Sequence, residues 1–102
     1  MRILVIEDER TLAAFIEQSL RAEGYAVTVV HDGESGEAAA LTGDYALVLL
    51  DVMLPGQSGL DVLSAIRARL PELPVIVLTA RAAVESLHLL LDRRASGQHD
   101  HR

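Results

Sequence analysis

Four positions, each at the end of a short apolar run, could do chemistry together: Glu7 and Asp8 after residues 2–6, Asp51 after residues 46–50, and Thr79 after residues 75–78. An ionised carboxylate is costly inside a strand covered on both faces. Asp51 instead stands just before the loop signal Met53-Leu54-Pro55-Gly56, which predicts a place at the rim of a sheet, where open α/β folds bind ligands. Carboxylates brought together there repel, so one must take up a proton or a cation must neutralise them. Mg2+, a hard ion that accepts oxygen ligands and keeps several waters, suits Glu7, Asp8 and Asp51. A cation so held can orient a phosphoryl donor while Asp51 attacks as nucleophile. Thr79 could hydrogen-bond one phosphoryl oxygen, and the small Ala80 beside it leaves room for the incoming group. The product would be an aspartyl phosphate, which hydrolyses readily and so suits a reversible signal.

Those residues need elements to position them. Arg2-Ile3-Leu4-Val5-Ile6 lacks polar alternation and reads as a buried parallel strand. From Arg10 to Glu23 the period becomes helical, with Leu12, Phe15, Ile16 and Leu20 on one face and Gly24 suited to the C′ position. Residues 26–30 alternate in part, as a strand nearer an edge does, and His31-Asp32-Gly33 closes it with a turn. Glu34 to Thr42 predicts a weak helix around Ala38 to Leu41. After the central strand, Ser58 stands three residues before Asp61, a capping-box spacing, and Leu63, Ile66 and Leu70 form the expected buried stripe. Pro71 and Pro74 stop that helix, and Val75-Ile76-Val77-Leu78 is a fourth strand. Alternation of this kind signals βα units on a parallel sheet. Residues 82–94 read as one more helix, and 95–102 as a polar tail, disordered by composition. The expected division is therefore 1–94 folded and 95–102 tail.

Composition narrows the function. With 102 residues the chain fits one domain. Nine arginines, no lysine and fifteen acids give a net charge of −6, which argues against a nucleic-acid surface on this chain alone. The absence of cysteine excludes disulfides, thiolate zinc sites and cysteine nucleophiles. No apolar run approaches the roughly 20 residues of a membrane span, and the first strand leaves no room for a signal peptide. A soluble cytoplasmic protein is expected, with no membrane partner.

The motifs Ile3-Leu4-Val5-Ile6-Glu7-Asp8-Glu9, Gly24-Tyr25, Asp32-Gly33, Asp44-Tyr45, Leu50 to Gly56, Ser58-Gly59 and Pro74 to Ala80 together resemble a bacterial response-regulator receiver domain. The resemblance spans residues 2–81 and is closest to receivers attached to winged-helix transcription factors. It implies a flavodoxin-like, doubly wound parallel sheet, here of four strands in the order 2-1-3-4. It implies Asp51 as phosphoacceptor for a histidine kinase and Glu7 and Asp8 as the acidic pair for Mg2+. Met53 would add its backbone carbonyl to the metal shell, and Thr79 would be the switch hydroxyl. Such a module is not an enzyme.

Beyond Arg81 the pattern departs from that family. Its members continue into a fifth strand that carries an aromatic switch residue and a lysine, and then a fifth helix. Residues 82–102 contain no lysine, and none of their apolar residues form a run that reads as a strand bounded by turn signals. The sequence thus reads as a receiver truncated before the fifth strand, with residues 75–78 as an apolar sheet edge that invites self-association through that strand and the last helix. A degenerate receiver serving as a non-phosphorylated interaction or dimerisation module is the main alternative. A phosphatase with an aspartate nucleophile is weaker, because Met53 stands where such enzymes place a general acid. A nucleotide or flavin binder is weaker still, for want of a glycine-rich loop after the first strand. His99 and His101 are expected to be solvated tail residues, and His31 and His88 to lie at the surface.

Overall fold

The computed structural model describes residues 1–78; Thr79, the helix expected over 82–94 and the tail over 95–102 lie outside the described residues. Among the described residues each unalternating apolar run is a strand and each run of helical period a helix. The order is β1 (Arg2–Ile6), α1 (Arg10–Ala22), β2 (Ala26–Val30), α2 (Gly33–Thr42), β3 (Leu47–Asp51), α3 (Gly59–Arg69) and β4 (Val75–Leu78). The four strands form one sheet in the order β2-β1-β3-β4, with every pairing parallel. That is the expected doubly wound arrangement, and β2 lies at an edge, as its partial alternation suggested.

The reason β1 and β3 show no alternation is visible in the packing. Leu4, Ile6, Val48 and Leu50 are buried with Ala40 of α2 and Val62 and Ile66 of α3 on one face of the sheet. Ile3 and Val5 are buried with Val27 against Leu12 and Ile16 of α1 on the other. Both faces of β1 therefore leave water, and on β3 Leu47 and Leu49 are half-buried beside the second cluster, so both strands demand apolar residues on both sides.

Two stripe readings need correction. On α3 the fully buried residues are Val62 and Ile66, while Leu63 and Leu70 only pack at the margin of the cluster. The helix sits over both β3 and α2, so the buried face is turned from the one that leucine spacing suggests. On α1, Leu12 and Ile16 are buried as expected, but Phe15 and Leu20 are half-buried. Ser58 does cap α3, but its hydroxyl accepts the Leu60 N–H at 3.1 Å, while the Asp61 N–H bonds the Ser58 carbonyl at 3.0 Å. Gly24, at φ +96°, follows the C-cap Glu23 as expected. Among the described residues no helix is long and apolar enough to cross a membrane.

Gly36 sits in the middle of α2, where glycine is ordinarily a poor choice. Its reason is distance to the sheet: a Cβ there would lie 2.8 Å from Ile6 Cγ2 and 2.9 Å from Cγ1, in a side chain with no exposure to yield into. Gly36→Ala is expected to destabilise the domain by about 1–2 kcal/mol in chemical denaturation, despite its better helix propensity. Combining it with Ile6→Val should recover part of the loss.

Candidate functional site

The site is assembled by the pairing of β1 with β3. Their register sets Ile6 beside Leu50, so the next residue of each chain, Glu7 and Asp51, meets the other at the carboxyl end of the two central strands. Asp8 follows Glu7 as the chain leaves the sheet. One oxygen from each of Glu7, Asp8 and Asp51 lies within 4.8 Å of the others. Glu7 is 3% exposed and Asp51 5%, whereas Asp8 is open to solvent.

Asp51 is thus more enclosed than a rim position implies. The residues after β3 turn back over it: Leu54 is buried in the core and Gly59, the first residue of α3, lies against the Asp51 backbone. Backbone donors fix the two buried acids. Asp51 Oδ1 accepts the Met53 N–H at 3.1 Å, and Glu7 Oε2 accepts the Glu9 N–H at 3.0 Å.

Two donors do not compensate for three crowded carboxylates. Burial, followed by repulsion from Asp51 and Asp8, pushes the Glu7 carboxyl up to about 7 despite the Glu9 N–H. Burial raises Asp51 as well, against the opposing effect of the Met53 N–H that it accepts. The cluster is an uncompensated oxygen-ligand set with one side open at Asp8, a donor chemistry that fits a hard divalent cation.

The third acid of the run has a different task. Glu9 turns away and caps α1, accepting the Leu12 N–H at 2.7 Å. Glutamate is an uncommon cap, so sequence pattern gave no reason to separate it from Glu7 and Asp8. His31, expected at the surface, is half-buried and its ring bonds the Glu7 carbonyl at 2.9 Å. Met53 is 73% exposed and touches the site through its backbone.

The family model for the response regulator receiver domain matches residues 3–98, nearly the whole chain. The chain belongs to the response regulator receiver family. Among curated relatives, this receiver is 51% identical over 82 residues to YkoG of Bacillus subtilis, described as an uncharacterised transcriptional regulatory protein. That match covers 80% of this chain and 36% of YkoG, so the receiver spans about a third of the relative's length. Among solved structures, it resembles the response regulator TrrA of Thermotoga maritima in complex with Mg2+-BeF, with TM-score 0.76, 36% identity, and 83% and 74% of the two chains covered. It also resembles a chain in the complex of the histidine kinase ThkA with TrrA, with TM-score 0.74 and 38% identity over 78% and 68% of the two chains.

The receiver's acid cluster has a consequence for its pH response. Because Glu7 titrates near 7 when folded against an ordinary 4.5, its contribution to stability is fully present below about 4.5 and is lost as pH rises through about 7. In the presence of a chelator the melting temperature should therefore fall between pH 5 and pH 8. Glu7→Gln should flatten that decline, and a Glu7→Gln profile as steep as that of the wild type would count against the assignment.

Proposed function

We propose that this receiver accepts a phosphoryl group on Asp51 from a histidine kinase, with Mg2+ held by Glu7, Asp8 and Asp51. The backbone carbonyl of Met53 completes the protein's share of the metal shell. The observation that carries the reading is the convergence of three carboxylates at the ends of the two central strands, buried on two sides and open on the third. TrrA, a similar protein, has been crystallised with Mg2+-BeF and in complex with a histidine kinase, which supports both the ion and the partner.

The Asp51 carboxylate, its plane set by the Met53 N–H, attacks phosphorus. The P–N bond of the donor phosphohistidine breaks, and its electron pair leaves with the imidazole. When bound, Mg2+ offsets the negative charge that phosphoryl oxygens bring beside the carboxylates. Glu7 must be ionised to serve as a ligand, and Asp8 stands at the open side where ion and donor enter. Thr79 supplies a hydroxyl to one phosphoryl oxygen and acts as the switch. The module transmits a signal in the cytoplasm and is not a turnover enzyme; residues 1–94 form it and 95–102 are its tail.

A second reading is favoured by Ile76, 47% exposed on β4, the last strand of the described sheet, and by the absence of lysine from the sequence. Under it the domain is an interaction module that self-associates through β4. Intact mass spectrometry after incubation with acetyl phosphate and Mg2+ separates the two readings. A single phosphoryl adduct mapping to the peptide that contains Asp51 is the expected result. A folded, Mg2+-binding protein that takes no adduct would favour the interaction module.

A further inference from the structure

The parallel ladder between β1 and β2 ends at the acidic loop. Its last backbone bond there runs from the Glu7 N–H to the Val30 carbonyl at 3.0 Å. The next donor in such a ladder would be the Asp32 N–H, serving the Glu7 carbonyl. Asp32 has instead turned away to cap α2, its carboxylate accepting the Ser35 N–H at 2.7 Å and the Ser35 hydroxyl at 2.9 Å. The residue between them fills the gap: His31 Nδ1 lies 2.9 Å from the Glu7 carbonyl oxygen. A carbonyl can only accept, so Nδ1 carries the proton, in the neutral ring and in the imidazolium alike. Glu7 is then gripped at three points, its N–H by Val30, its C=O by His31 and its carboxylate by the Glu9 N–H.

We infer that His31 is a positioning residue for the acidic site: by holding the peptide that joins Glu7 to Asp8, it fixes the relative aim of the two carboxylates toward a bound cation. The inference rests on the Mg2+ reading above. Outer partners of this kind hold metal ligands in place without touching the ion. Both carboxylates flank the gripped peptide, so its release lets the Glu7 and Asp8 oxygens drift apart from the arrangement around Asp51.

The test compares wild type with His31→Leu, which keeps the bulk near Nδ1 but cannot donate, and His31→Asn, whose side-chain amide places a donor at that position. Mg2+ affinity is measured by isothermal titration calorimetry, and the ring nitrogens of His31 are assigned by long-range 1H–15N NMR in the wild type. The expected results are a protonated Nδ1, Mg2+ binding weakened about fivefold in His31→Leu, equivalent to one hydrogen bond of about 1 kcal/mol, and recovery in His31→Asn. Equal affinity in all three proteins would overturn the inference, as would equal losses in both variants or an unprotonated Nδ1. Failure of the wild type to bind Mg2+ would be a distinct result: it would remove the metal reading itself, and this inference with it.

Discussion

Asp51→Asn should abolish the phosphoryl adduct while leaving the domain folded. The amide is a poor nucleophile and cannot form an acyl phosphate, so no residual labelling at that peptide is expected in a mass spectrum after acetyl phosphate and Mg2+. Unfolding cannot account for such a loss. Asp51 is one of the charges that raise Glu7, and its removal relieves repulsion within a buried cluster. The variant should therefore melt no lower than the wild type at pH 8 in chelator. Labelling that persists on the variant would transfer the phosphoacceptor role to another residue, and a large fall in melting temperature would contradict the electrostatic account.

The second large effect is expected at a residue with no side chain. Gly59 opens α3 directly over the end of β3, and its N–H bonds the Val52 carbonyl at 2.9 Å. A Cβ there would collide with the Asp51 carbonyl oxygen and lie 2.6 Å from Val52 Cα. Both obstacles are backbone, which cannot swing aside as a side chain can. Gly59→Ala should cost about 3 kcal/mol or more in chemical denaturation, at the upper end for overpacking. Any folded fraction should also label poorly, because the relief available is movement of the Asp51 peptide. A cost below about 1 kcal/mol would mean that α3 is free to shift away from β3.

Much of this was legible in the sequence because burial on both faces leaves a mark. Residues 3–6 and 47–50 are apolar without interruption, and an acid at the end of each run stands out against that background. The strand order came from the family resemblance, and the meeting of Glu7, Asp8 and Asp51 follows once β1 and β3 are parallel neighbours. What depends on close packing was not legible. The enclosure of Asp51 comes from the fold of residues 52–59, and Gly59 gives it no more signal than any glycine beside a helix cap. The buried face of α3 was misread because apolar residues at 60, 62, 63, 66 and 70 cover more than one stripe, and only the neighbouring α2 selects among them. His31 looked like a lone surface histidine because its partner is a backbone carbonyl exposed by the ending of a strand ladder, an event that side-chain pattern does not record.

The position of β1 sets where the molecule can yield. It lies between β2 and β3, and Ile3 to Ile6 have at most 1% exposure, so its amides should open to solvent exchange only when the whole domain unfolds. Glu7 is anchored to that strand and Asp51 to its neighbour. A change of charge between them is therefore expected to leave the strands in place and to be felt first in the segment that carries the exposed Met53 and the left-handed Gly56. The strands are thus the frame against which any displacement of that loop on phosphorylation would be measured.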